Sequence, residues 1–134
     1  MDISLEALDQ AGAEYLPGLL GIEFDSFEDG VMRSRLPLAK NLFAPNGYVH
    51  AGAIVTLADT TCGYGCILSF PEGATGFTTI ELKTNFLRSA QSGTITCEAQ
   101  LAHGGRTTQL WDATVRDPDG RTMALFRCTQ LILR

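Results

Sequence analysis

Ala51-Gly52-Ala53-Ile54-Val55-Thr56-Leu57-Ala58-Asp59-Thr60-Thr61-Cys62-Gly63-Tyr64-Gly65-Cys66-Ile67-Leu68-Ser69-Phe70 is an almost uniformly apolar run whose one charged residue is Asp59. It is too long for a strand, since strands are usually about five or six residues. As a helix it is apolar on every side, which predicts burial on every side. The small residues Ala51, Gly52, Ala53, Ala58, Gly63 and Gly65, the glycines at a cost in helix propensity, are expected where other backbone or a ligand comes close. Pro71-Glu72-Gly73 stops the helix.

Upstream of this run, residues 39–49 form an irregular loop. Before it, Ile22–Phe27 and Val31–Leu36 read as strands joined by Glu28-Asp29-Gly30, an Asp-Gly turn of the kind antiparallel hairpins favour. Residues 3–15 suit a short amphipathic helix, and Pro17-Gly18 is expected to end it. Downstream, Thr78–Leu87, Thr94–Ala102, Thr107–Val115 and Thr122–Leu133 read as strands. They are separated by Ser92-Gly93, His103-Gly104-Gly105 and Asp117-Pro118-Asp119-Gly120. Ile95, Cys97, Ala99 and Leu101 share one parity, and so do Ala124, Phe126, Cys128 and Ile132. Two strands, one long helix and then a run of strands is an α+β pattern, best met by an antiparallel sheet curled around a central helix. No repeat or linker divides the chain, so residues 1–134 are expected to form one domain, with 1–18 as an N-terminal helix or extension.

The bulk numbers narrow the function classes. A 134-residue chain with 45% apolar residues supports a core without staples. Its 19% charged residues fall below the usual quarter, which suits a surface partly covered by other subunits. A net charge of −5 argues against nucleic acid as a partner. The N-terminus has no basic region followed by an apolar core, and Ala51–Phe70 is broken by Asp59 and glycines. A cytoplasmic protein without a membrane span is therefore expected. The four cysteines then read as small buried residues in a reducing compartment. Cys62 and Cys66 lack further ligands at metal-like spacing, so no metal is expected.

Asp59 is the residue most in need of explanation, because a carboxylate in an apolar helix is costly to bury. It could attack a carbonyl or activate water, with desolvation raising its pKa; alternatively it accepts structural hydrogen bonds from nearby hydroxyls. A helix start presents unpaired N–H groups and a partial positive charge. The N–H groups of Ala51 or Gly52 could therefore form an oxyanion hole.

The segment Asn46-Gly47-Tyr48-Val49-His50-Ala51-Gly52, continuing to Asp59-Thr60, resembles the hot-dog-fold thioesterases of the phenylacetate-degradation and 4-hydroxybenzoyl-CoA thioesterase type. These carry His-Gly-Gly at the start of the central helix and an Asp or Glu nine residues after the His, the separation of His50 and Asp59. Thr79–Ala90 is similar to the family's strand ending in aromatic-x-Arg-Pro-Ala, and the similarity extends over about residues 20–133. The chain departs from the pattern in two places. Ala51 replaces the middle glycine, and Ala44 stands where the family often has Gln or Asn, leaving Asn46 as the nearby amide.

The resemblance implies an acyl-CoA thioesterase with active sites at a dimer interface and Asp59 as nucleophile or base. It gives His50 the role of orienting the helix start, although simple capping is an alternative. Thr79 would hold the attacking water or the carboxylate, or is merely a good strand residue. Arg88 and Arg106 are candidates for the coenzyme's phosphates, with solvent as the default alternative. No cofactor is implied, coenzyme A being part of the substrate.

A length argument agrees with the interface. Ala51 and Asp59 are separated by roughly 12 Å of helix, whereas one carbonyl needs both contacts near ~3 Å. If both act, they come from two chains, so a homodimer is expected; a dimer of dimers is a separate expectation, which the helix length does not decide. The rival readings are a non-catalytic acyl-CoA-binding or regulatory module, a hot-dog dehydratase or hydratase, and a structural oligomerisation domain.

Overall fold

The computed structural model describes residues 3–134, so the first two residues of the expected extension lie outside the described residues. In chain order the elements are α1 (Leu5–Gly12), α2 (Leu16–Leu20), β1 (Glu23–Glu28), β2 (Val31–Pro37), α3 (Ala51–Leu68), β3 (Gly76–Phe86), β4 (Thr94–Gly104), β5 (Thr108–Arg116) and β6 (Thr122–Leu133), with a single 3-10 turn at Lys40–Leu42. The strands form one antiparallel sheet in the order β1-β2-β4-β5-β6-β3, with α3 packed on one face. This is the α+β arrangement that the sequence pattern predicts.

Local chemistry explains the boundaries. Asp29 and Gly30 both have positive φ, 52° and 74°, which is what a two-residue hairpin turn between right-twisted strands demands. At the N-terminus the expectation of one helix ended by Pro17 is corrected. Ser4 caps α1 by accepting from the Ala7 N–H at 3.1 Å, and Pro17 lies in the first turn of a second helix. Proline is tolerated there because an N-terminal N–H has no helical partner to lose.

Alternation decides which face is core. Met32, Ser34 and Leu36 on β2 point inward, as do Ile95, Cys97 and Ala99 on β4. They are joined by Trp111, Ala113 and Val115 on β5 and by Ala124, Phe126, Cys128, Gln130 and Ile132 on β6. Leu101, expected to continue the β4 set, is 38% exposed beside the bulge before His103.

The helix meets this face with Ile54, Leu57, Ala58, Thr61, Cys62, Gly65 and Cys66. Its expected burial on all sides is corrected, because one sheet layer covers only one side. Gly52 is exposed, and Thr56, Asp59, Thr60 and Ile67 are half-covered. Among the described residues α3 is the one helix long and apolar enough to cross a membrane, yet half of it is buried inside the fold.

Aromatic rings, rather than backbone or ligand, account for the internal glycines of α3. A Cβ on Gly65 would stand 2.6 Å from the Trp111 ring, and one on Gly63 would stand 3.1 Å from Phe77. Trp111 is held by donating its Nε1–H to Gln109 Oε1 at 2.8 Å, while Gln109 Nε2 donates to Ser69 O at 2.9 Å, just past the helix end. Ser34 and Thr61 share a buried hydroxyl hydrogen bond of 2.6 Å that ties α3 to β2.

Candidate active site

The helix start is built by the loop before it. Gly47, at φ 88°, turns the chain, and Ala44 N–H donates to Tyr48 O at 2.7 Å. Asn46 uses its Oδ1 to accept from Tyr48 N–H at 3.1 Å, closing an Asx turn, and its side chain is exposed. Val49 N–H then bonds Ala90 O and His50 N–H bonds Leu42 O, both at 2.9 Å. These bonds aim the first turn of α3.

His50 is the N-cap, and its Nδ1 accepts from Gly52 N–H at 2.7 Å. Ala53 and Ile54 N–H both turn back to His50 O. With Nδ1 used as an acceptor, Nε2 is the ring nitrogen left to donate. Of the two proposed oxyanion donors, Gly52 N–H is occupied, while Ala51 N–H has no partner among the described residues. Gly52 itself is needed because an added Cβ would stand 2.9 Å from His50 Nδ1. Beside this turn lies a cleft of about 340 Å³, lined in part by Leu20, Leu42, Phe43, His50, Gly52, Ala53 and Thr56. Asp59 does not line it.

Asp59 lies on the open stripe of α3, seven residues after Gly52 and three after Thr56. Its Oδ1 is buried and has no hydrogen-bond partner among the described residues, and burial pushes the carboxyl above its ordinary pKa. The hydroxyl partners that a structural role would require are missing at that oxygen.

Thr79 sits before a bulge at Ile80 on β3 and faces inward. Its Oγ1 donates to Gln130 Oε1 at 2.7 Å. Gly63 packs on Phe77, and β3 returns along the helix after α3 ends. Four helical residues back from Gly63 cover about 6 Å and two strand residues on from Phe77 cover about 6.6 Å, which brings Thr79 level with Asp59.

Arg88 follows β3, where its N–H bonds Met123 O, and the segment it leads into pairs with Val49 at the helix start. Arg106 lies at the other end: its carbonyl accepts from Arg134, whose second nitrogen bonds Glu72 O just beyond the helix C-terminus. Within one chain the two arginines are therefore apart.

All four cysteines are free and buried. Burial pushes the Cys66 and Cys97 thiols up to about 12 and the Cys62 thiol well up, so none of these three is a thiolate nucleophile near neutral pH. The sequence reading missed Gln130, which is fully buried, and Thr84, whose buried Oγ1 has no partner among the described residues. Gln130 was detectable as an amide at an inward position of an otherwise apolar strand face.

Comparison with known proteins agrees with this geometry. The thioesterase superfamily profile matches residues 46–124, from Asn46 through β3 to the start of β6. The 1,4-dihydroxy-2-naphthoyl-CoA hydrolase of Escherichia coli K12 is 31% identical over 98% of this chain and 96% of its own length. Among solved structures, a mutant of thioesterase PA1618 from Pseudomonas aeruginosa superposes with a TM-score of 0.93 at 30% identity, covering 99% of this chain and 96% of that one. Thioesterase HI1161 from Haemophilus influenzae gives 0.93 at 27% identity, covering 100% and 93%. With a matched motif, a sheet-wrapped helix and full-length likeness in agreement, the chain belongs to the thioesterase superfamily and is a hot-dog-fold thioester hydrolase.

Proposed function

We propose that the chain hydrolyses acyl- or aryl-CoA thioesters in the cytoplasm as a homodimer, in which each site joins the Ala51 N–H of one chain to Asp59 of the other. The carrying observation is Asp59: a buried, unpartnered carboxylate oxygen on the open face of the central helix. Such a group is costly as structure and well placed as a nucleophile or as the base that activates water. The naphthoyl-CoA hydrolase relative supports a coenzyme A thioester as substrate.

Two features support the two-chain site. The cleft at the helix start does not reach Asp59, and eight residues of helix span roughly 12 Å. In addition, β3 is an eleven-residue edge strand whose Ile80, Leu82 and Phe86 are exposed, next to exposed Leu87 and Leu125. An unpaired apolar edge of that length invites pairing with a second copy. In such a pair Arg106 of one chain would approach the helix start and Arg88 of the other, where both could hold the coenzyme's phosphates. The free buried thiols suit a reducing compartment.

The test is complementation. Asp59→Asn chains and Gly52→Val chains, each inactive alone, are mixed under conditions of subunit exchange, and thiol release from a panel of acyl-CoAs is followed. Random pairing makes half the dimers mixed with one good site of two, so activity is expected to rise to about a quarter of wild type. No recovery despite proven exchange overturns the two-chain site. Wild-type turnover by Asp59→Asn alone removes Asp59 from the chemistry.

A further inference from the structure

We propose that Gln130 is a positioning residue, which accepts the hydrogen bond of the Thr79 hydroxyl and leaves Thr79 only lone pairs to offer the attacking water. The inference rests on Asp59 being the base or nucleophile proposed above.

Gln130 is fully buried on β6, at a position whose same-face neighbours are Phe126, Cys128 and Ile132. Burying an amide among apolar side chains is costly unless it is hydrogen-bonded, and Gln130 spends its carbonyl oxygen on one partner, Thr79 Oγ1 at 2.7 Å. Its Nε2 faces only the weak acceptor Cys128 Sγ, at 3.3 Å. A poorly satisfied amide held in the core for a single hydroxyl points to a requirement on that hydroxyl. A threonine hydroxyl has one proton and two lone pairs. With the proton committed to Gln130, Thr79 gives no hydrogen bond to Asp59, which keeps the carboxylate underbonded and basic. The lone pairs can accept from a water lying between Thr79 and the acid. Of the two catalytic roles that the family resemblance gives Thr79, holding the water or holding the carboxylate, this geometry favours the water. The bulge at Ile80 fits, since bulges re-aim the side chains beside them.

The titratable groups facing Asp59 from the elements around it are few. Cys62 on its own helix and Cys128 on β6 lie on the inward side, while Glu81 and Lys83 of β3 fall in the outward register and Asp9 of α1 lies toward Tyr64.

The test reads kcat, KM and the acid limb of the pH–rate profile in the full-length protein, with the acyl-CoA that the panel shows to be turned over best. Gln130→Met, close in volume, is expected to lower kcat roughly 10- to 100-fold with KM unchanged, as loss of positioning does. It frees the Thr79 proton to swing to Asp59, so the acid limb moves to lower pH. In the double variant Gln130→Met/Thr79→Val the limb returns to its wild-type position, and kcat equals that of Thr79→Val alone. A side chain that only supported the fold would change none of these pH positions. Wild-type kcat in Gln130→Met, or additive losses in the double variant, overturns the proposal. Should Gln130→Met fail to fold, Thr79→Val in the native core decides: its acid limb must stay in place, and a limb moved to higher pH shows that the hydroxyl was donating to Asp59. With Asp59→Asn inactive, these outcomes bear on Gln130 alone; with Asp59→Asn active, the underlying site assignment falls first.

Discussion

Asp59 in the middle of α3 and Asp117 in the turn between β5 and β6 are both carboxylates withdrawn from water, and they are treated in opposite ways. At Asp117 burial works against the charge, but the backbone N–H groups of Arg121 and Asp119 donate to Oδ1 at 2.9 and 3.0 Å. Arg121 Nε stands 3.3 Å from Oδ2, so the carboxyl ends below its ordinary pKa. At Asp59 no donor among the described residues reaches Oδ1 and the carboxyl ends above its ordinary pKa. A turn carboxylate with every donor supplied is structure. A helix carboxylate left without one carries free energy that the fold does not recover, and it is available for chemistry.

The largest expected effect follows from this contrast. Asp59→Asn should lower turnover by at least ~100-fold with the fold intact, as loss of a nucleophile or base does. Asp117→Asn should leave turnover unchanged. Thiol-release assays beside circular dichroism check both, and a slow Asp117→Asn enzyme with a native fold would erase the distinction.

The two halves of α3 extend the comparison. Gly65→Ala should destabilise by about 1–3 kcal/mol, because its Cβ meets the buried Trp111 ring, which is pinned by Gln109. Gly52→Ala pushes on the His50 cap instead, a loss of about 1 kcal/mol, and it should show a larger relative loss of kcat than of melting temperature. If Gly65→Ala were the more harmful to kcat at equal stability, the assignment of the helix start to chemistry would fail.

Stability against pH gives the smallest and sharpest signal. For Asp117 the folded pKa is depressed, so its contribution is present above the ordinary Asp value and is lost as pH falls through the folded value. For Asp59 the folded pKa is raised, so between the ordinary value and the folded one the native state holds the extra proton and stability drops as pH rises. Asp117→Asn should therefore lower the neutral-pH melting temperature and Asp59→Asn should raise it. Both differences should fade below the ordinary Asp range, and melting curves across pH 3–8 test the opposite signs.

Much of this was legible in the chain. Alternation placed the inward faces of β4 and β6 up to Leu101, and the Asp29-Gly30 turn followed from its dipeptide, since both signals are local. The N-terminal segment was misread because Pro17 has the same sequence appearance when it ends one helix as when it begins the next. Burial around α3 was overestimated because hydropathy reports what a helix can bury and not how much of it a single sheet covers. The internal glycines were rightly seen as close approaches, but the partners are rings that lie far along the chain, Phe77 and Trp111.

Spacing along a few turns of chain is enough for the order of elements from β1 onward, the family motif around His50 and the isolation of Asp59. Tertiary packing settles which N–H of the helix start stays free, which face of α3 stays open, and that the Thr79 hydroxyl donates its hydrogen bond to Gln130. The first of these is set by a histidine rotamer and the second by the reach of one sheet layer. The third joins residues 51 positions apart, and a hydrogen bond between distant segments is specified by strand register, which no local pattern contains.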